Sequence, residues 1–195
     1  MNKFAIIIQG PSSYLSRQLE AWSDYSDSLI FSTWEGYEHL YKNEKVIFNP
    51  IPDNCGVVNL NLQVISTQSG LKEAERLGYK YAIKMRSDFI PTNAKMFLER
   101  LDESITVFLW HLHQEGYYTD YFMSGPIHDL TEIWSFDGTI RCSYPEEAIT
   151  KSLKNLGKPI NQYKKHINDF NDFHQLKWGG TLYHTFKDSP SFIDQ

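Results

Sequence analysis

The strongest constraint on the fold is an alternation that runs through the first half of the chain. Short apolar runs, each cut off by a turn signal, are separated by segments with helical spacing. Residues 3–8, "KFAIII", are stopped by "QGPSS", the pattern of a buried strand meeting a turn. The segment "LSRQLEAWSDY" follows and places Leu15, Leu19 and Trp22 at i, i+4 and i+7, one face of a helix. "SLIFSTW" (28–34) is a second strand, "EGYEHLYKN" a short helix or turn, and "KVIFNP" (45–50) a third strand halted by proline. After the loop "PDNCG", the longest helical signal runs from about Leu60 to Leu77. Leu60, Val64, Leu71 and Ala74 fall near one stripe, and Gly78 stands where a left-handed cap residue belongs. The strand "YAIKMR" comes next. Such alternation implies a mainly parallel sheet with helices on both faces. Ligands of these sheets bind in the crevice beyond the carboxyl ends of the strands. "QGPSS", "STWEG" and "RSD" are the strand ends that face it here.

The second half is less regular. "AKMFLERLD" (94–102) reads as a helix, "SITVFLW" (104–110) as a strand, "TDYFMSGP" (119–126) as a strand breaking at Gly-Pro, and "DLTEIW" as a short helix. Residues 145–159 carry their own punctuation: proline and two glutamates open the segment, lysines close it, and Gly157 and Pro159 end it, in keeping with the helix dipole. Beyond residue 160 polar and aromatic residues mix helical and loop character. A length of 195 residues suits one domain with a real core.

Composition removes several functions. The net charge of −5 comes with no long basic run, so the positive footprint that nucleic acid requires is missing. Cys55 and Cys142 lie far apart without a CxxC pair or a nearby histidine at ligand spacing, which argues for free thiols over structural zinc. The apolar run before Gln9 is only five residues long, too short for a signal h-region or a membrane span. The expectation is a cytoplasmic protein with at most peripheral contact at the inner face of the membrane.

Chemistry concentrates in "GYKYAIKMRSDFIPTN" (78–93), where a strand headed for the interior carries Lys84 and Arg86 and ends on Ser87-Asp88. Alternation puts both cations on one face. A carboxylate at a strand's end can hold a divalent cation that neutralises a diphosphate, and Arg86 can bind phosphate or a carboxylate in bidentate fashion. For Lys84 the favoured reading is a structural ion pair with Glu73 or Glu75. The loop "IIIQGPSS" lacks both GxGxxG and GxxxxGK[ST], so neither a dinucleotide turn nor a triphosphate loop is supported. Asp120, in "TDYFMSG", has two readings: a base with a raised pKa among aromatics, or a strand-start carboxylate bonding a backbone N–H. Asn59, Asn61 and Gln63 either cap the long helix or reach into the crevice. His111 and His113 share one strand face and are read as structural; His166, His174 and His184 include possible metal ligands beside Asp88.

The order "IIIQGP", "FSTWEG", "NLNLQVISTQSGLKEAERLGYKYAIKMRSD", "DYFMSGP", "YPEE" resembles the WavE family of lipopolysaccharide-synthesis proteins, regarded as GT-A-like glycosyltransferases. The resemblance spans roughly residues 4–156. It implies a single GT-A-like α/β domain, with a nucleotide-binding part over about 1–93 and an acceptor and catalytic part over about 94–195. It also implies a nucleotide-sugar donor, a saccharide or lipid-linked acceptor, and a divalent cation, Mn or Mg. In GT-A folds an Asp-X-Asp sequence ends the fourth strand and binds the metal and diphosphate. The matching triplet here is Arg-Ser-Asp, so Asp88 carries over as the metal ligand and Arg86 replaces the first acid. A cation at that point can take over part of the metal's task of neutralising phosphate. By position Gln9, Gly10, Pro11, Thr33, Trp34 and Asn61 join Arg86 and Asp88 around the nucleotide sugar.

For inverting transfer, Asp120 or Glu146 is the expected base, although a glutamate beside proline in a helix's first turn is also explained by the dipole. Two rivals stand beside this reading. A metal-dependent nucleotidyltransferase or phosphohydrolase predicts more clustered carboxylates at the strand ends. A sugar- or nucleotide-binding module, or a degenerate transferase that has lost its activity, predicts binding without transfer.

Overall fold

The computed structural model describes residues 4–42, 44–91, 94–98, 104–110, 117–136, 142, 144–163 and 173–175. The strands are β1 (Phe4–Gln9), β2 (Leu29–Trp34), β3 (Val46–Asn49), β4 (Tyr81–Arg86), β5 (Phe89–Pro91), β6 (Ile105–Trp110), β7 (Tyr117–Pro126), β8 (Ile160–Tyr163) and β9 (Phe173–Gln175). The helices are α1 (Leu15–Ala21), α2 (Leu60–Arg76), α3 (Ala94–Leu98), α4 (Ile127–Ile133) and α5 (Pro145–Leu156). Seven strands form one sheet in the order β3-β2-β1-β4-β7-β6-β8, and β5 pairs with β9 in a separate ladder. The pairs β1–β2, β1–β4, β2–β3 and β6–β8 are parallel; β7 runs against both of its neighbours.

Alternation along β1 explains the two layers. Ala5 and Ile7 pack with Leu60, Val64, Leu71 and Ala74 of α2, and the same core takes in Leu130 and Ile133 of α4 and Ile149 and Leu153 of α5. Ile6 and Ile8 face the other way, into a core with Trp22, Phe31, Met85, Phe89 and Phe122, against which Leu15 and Leu19 of α1 and Leu98 of α3 pack. Helices therefore cover both faces, as the alternation implies. The α2 stripe is buried as expected, and Gly78 follows the helix with a φ of +82°. Gly70 shows how closely α2 lies on the sheet: a Cβ there would sit 2.4 Å from Cγ2 of Ile7.

Several boundaries differ from the sequence reading. α1 ends at Ala21, and a 3-10 turn over Ser23–Ser28 replaces its expected last turn. The fully buried α1 residue is Gln18, a polar side chain on what reads as the apolar flank. β7 continues through Gly125-Pro126 instead of breaking there. Directly after Asp88 the chain forms β5, a strand not anticipated from the sequence; its antiparallel partner β9 lies more than eighty residues away, and three-residue strands are too short to show a period. Among the described residues no helix is long and apolar enough to cross a membrane.

Gly70→Ala forces a methyl into the α2–sheet contact and is expected to cost about 1–3 kcal/mol of stability. Urea unfolding of the variant checks this, and an unchanged midpoint would mean that α2 can lift from β1 without penalty.

Candidate functional site

The carboxyl ends of β1, β2 and β4 open into a small cleft, continuous with solvent, walled by Gln9, Gly10, Pro11, Trp34, Leu62, Gln63, Arg86, Ser87 and Asp88. The backbone knits these ends together: Gly10 N–H donates to Ser32 O at 3.1 Å and Ser87 N–H to Gln9 O at 2.8 Å. Gly10 has a φ of +122°, and a Cβ at this position would lie 2.8 Å from the Ser87 hydroxyl oxygen. Only glycine meets both conditions at this crossing. The Gln9 side chain is buried, its Oε1 accepting a bond from Ser66 Oγ at 2.7 Å.

Arg86, the last residue of β4, is fixed between two carboxylates. Its Nε and Nη2 donate to Asp88 Oδ1 and Oδ2 at 2.9 and 2.7 Å, and its Nη1 donates to Asp120 Oδ2 at 2.9 Å. Its guanidinium carbon lies 4.5 Å from the centre of the Tyr121 ring. Burial works against the charge, but Asp120 and Asp88 more than offset it and hold Arg86 well above the ordinary arginine range. Asp120 reaches Arg86 because β7 is irregular. Val107 of β6 faces Met123 while Leu109 faces Tyr118, so two steps on β6 span five on β7. Bulges of this kind re-aim side chains next to sites.

The charges continue behind Arg86. Lys84 is fully buried, donates to the Asp120 carbonyl oxygen and lies 4.3 Å from the centre of the Trp134 ring. The expected ion pair with Glu73 or Glu75 is not the one formed, since Glu73 binds Arg76 on the exposed side of α2 at 2.6 Å. Lys84 points instead along the strand face it shares with Arg86. Burial, reinforced by Arg86 and partly offset by Asp120, brings its pKa down to about 7. Glu146, in the first turn of α5, is pushed up to about 8 by burial and by the charge of Asp120. At neutral pH it is therefore mostly a neutral acid, which suits a proton donor better than a base.

Of the residues expected around a nucleotide sugar, Gln9, Gly10, Pro11, Trp34, Arg86 and Asp88 do meet in the cleft. Thr33 does not line it; its hydroxyl is bonded to Ser12 Oγ at 2.9 Å. Asn61 turns away and donates to Asn54 O at 2.9 Å. Asn59 makes no side-chain cap and sits with a φ of +64° after Val58 at +45°, a left-handed pair that is costly for a β-branched residue. Asp120 and Glu146 are not among the residues lining the cleft and lie behind Arg86, with Asp120 only 1% exposed. His111, His113, His166 and His184 lie outside the described residues, and His174 is placed by its backbone in β9.

Gln18 escapes the sequence reading, while Gln63, expected either to cap the long helix or to reach the crevice, and Ser87, expected at a strand end, both wall the cleft. The Gln18 amide donates to Ser87 O at 2.9 Å and Phe89 O at 2.8 Å, clamping the turn on both sides of Asp88. Gln63 and Ser87 wall the cleft with Oε1 and Oγ buried and without a hydrogen-bond partner. Such atoms await a ligand's donors or an ordered water. A polar residue flanking the apolar stripe of α1 is the one signal the sequence carries for Gln18.

A divalent cation does not fit the described residues. Both Asp88 oxygens already accept bonds from Arg86, so an ion on Asp88 would lie against a guanidinium. No group of three or more His, Cys, Asp or Glu side chains able to hold a metal occurs among the described residues.

The two shifted groups set a pH dependence. Glu146 has a folded pKa of about 8 against an ordinary 4.5, so the folded state holds the extra proton between those values. The stability this confers is present below about pH 4.5 and is lost as pH rises through about 8. Lys84 runs the opposite way: the unfolded chain binds the extra proton between about 7 and 10.5, so its contribution rises with pH there. Glu146→Gln is expected to flatten the fall in stability that the parent should show between about pH 5 and 8, and thermal melts across that range check this. An unaltered profile would mean that Glu146 titrates normally.

No protein-family model matches the chain, and no curated protein matches it. Solved structures do. A Desulfovibrio desulfuricans G20 protein assigned as a nucleotide-diphospho-sugar transferase superposes with a TM-score of 0.59 at 11% identity, over 98% of this chain and 90% of its own. The catalytic domain of Drosophila β1,4-galactosyltransferase 7, in complex with xylobiose, gives 0.55 at 11% identity, over 94% and 73%. A cytidylyltransferase from Leptospira borgpetersenii gives 0.54 at 13% identity, over 100% and 89%. At these identities the likeness speaks for architecture, and the chain has a GT-A-like α/β fold, a mostly parallel central sheet flanked by helices.

Proposed function

We propose that this protein is a glycosyltransferase that takes its sugar from a nucleotide-sugar donor and passes it to a saccharide or lipid-linked acceptor. The observation that carries the reading is the cleft at the ends of β1, β2 and β4, where an indole, two glutamine amides, a serine hydroxyl and a guanidinium converge. This is where open α/β sheets bind ligands. The chemistry suits a nucleotide sugar: the Trp34 indole at the cleft wall for a flat or sugar ring, amides and a hydroxyl for polar edges, and Arg86 for phosphate oxygens. Every described residue of the cleft wall comes from the first 93 positions, in line with a donor-binding part there and an acceptor part after it.

The role of Asp120 in this reading is to hold Arg86. Glu146, a neutral acid in the first turn of α5, feels the charge of Asp120 and does not line the cleft. A role in surface polysaccharide synthesis of the lipopolysaccharide type rests on the motif order quoted above. A second reading, nucleotidyl transfer, is favoured by the likeness to a cytidylyltransferase, whose TM-score of 0.54 is close to that of the galactosyltransferase.

Calorimetry with a panel of nucleoside diphosphates, nucleoside triphosphates and nucleotide sugars separates the readings. A glycosyltransferase binds a nucleoside diphosphate and its sugar conjugate, and Trp34→Ala weakens both by about tenfold or more, 1.4 kcal/mol. Preference for a triphosphate over every diphosphate and sugar conjugate would favour nucleotidyl transfer. Absence of binding across the panel would overturn both.

A further inference from the structure

We propose that Arg86 stands in for the divalent cation of this site, so that a nucleoside diphosphate binds in the cleft without any metal. The inference rests on the donor-binding reading of the cleft and adds how the phosphates are met there.

Three observations lead to it. The first is occupancy. A metal held by Asp88 would use the two oxygens that Arg86 already engages through Nε and Nη2, at 2.9 and 2.7 Å. A bidentate pair of this geometry is strong and directional, and it fixes the positive charge at the end of β4, on the cleft wall.

The second is rigidity. Asp120 anchors the guanidinium through Nη1 at 2.9 Å, the Tyr121 ring supports it at 4.5 Å, and the Gln18 amide holds both carbonyls that flank Asp88. Neither Arg86 nor Asp88 can swing aside to admit an ion without breaking this buried bidentate pair, which is unfavourable.

The third is charge balance. A divalent ion with two carboxylates sums to zero. Arg86 and a protonated Lys84 against Asp88 and Asp120 give the same sum, with Glu146 neutral below about pH 8. Lys84 is poised near neutrality, and an arriving diphosphate favours its charged form. The chain therefore supplies from its own side chains the positive charge that elsewhere comes from a bound ion, and in a dry site such fixed charge needs no reorganisation.

The test uses the full chain. Each nucleoside diphosphate that binds is titrated by calorimetry in EDTA and again in excess Mn²⁺ or Mg²⁺, and melting of the ligand-free protein is followed with and without Mn²⁺. The expected result is an affinity that changes by less than about twofold with metal and a melting temperature that Mn²⁺ does not raise. Binding seen only with metal, or a metal-induced rise in melting temperature of the parent protein, would overturn the inference while leaving the donor-binding reading in place. Failure of every diphosphate under both conditions would overturn the donor-binding reading itself, and this inference with it. R86D gives a gain-of-function check, because it places two acids at the spacing that holds a metal. Mn²⁺ is expected to raise the melting temperature of R86D and not that of the parent, and an R86D protein that folds but ignores Mn²⁺ counts against Arg86 occupying a metal position. Should R86D fail to fold, Arg86→Gln is measured instead: it is expected to lose about tenfold or more in diphosphate affinity in EDTA, and full retention of affinity would overturn the inference.

Discussion

The contact between Arg86 and its two carboxylates is the constraint from which the rest of the site follows. A guanidinium buried at the end of a central strand is tolerable only when its charge is matched and its N–H groups are bonded. Asp88 matches it from its own strand's turn and Asp120 from the neighbouring antiparallel strand. Removing one member of such a buried set costs about 3–5 kcal/mol because the others are left uncompensated. The same set therefore joins β4 to β7 at the point where the sheet changes direction, and it forms one wall of the cleft.

The remaining structure can be understood as what this arrangement requires. β7 carries extra residues opposite β6 so that Asp120 turns toward Arg86. α1 contributes a buried glutamine where an apolar residue would serve packing better, and its amide locks the turn that presents Asp88. Gly10 keeps its crossing with Ser87 narrow. Behind the site, the Trp134 ring gives the Lys84 ammonium a face to rest on, a favourable contact in a desolvated setting. None of these features improves the core as a core. Their common effect is to hold a fixed cation at a strand end beside an aromatic side chain and unpartnered polar atoms.

Much of the architecture was legible because it is written in short-range patterns. The apolar runs of β1, β2 and β4 and the stripe of α2 each satisfy a local period, and local periods survive folding. The cleft residues Gln9, Gly10, Pro11, Trp34, Arg86 and Asp88 were legible for the same reason: they stand at the ends of strands whose direction the pattern implies. What was not legible depends on long-range pairing. β5 forms only with β9, and the turn of Asp120 toward Arg86 arises from a register shift between β6 and β7. Lys84 bonds a carbonyl oxygen thirty-six residues away, a partner that no local pattern announces, whereas the carboxylates of Glu73 and Glu75 stand closer in sequence. Gln18 carried no signal beyond its polarity. Its importance lies in two carbonyls about seventy positions downstream.

The most direct test of this account is a crystal structure of the protein with a nucleoside diphosphate bound, grown from solutions that contain Mn²⁺. The account predicts phosphate oxygens within hydrogen-bonding distance of the Arg86 guanidinium, the base or sugar ring against Trp34, the Arg86–Asp88 pair retained, and no metal density on Asp88. A Mn²⁺ ion coordinated by Asp88 with Arg86 displaced, or a diphosphate seated away from the ends of β1 and β4, would contradict it.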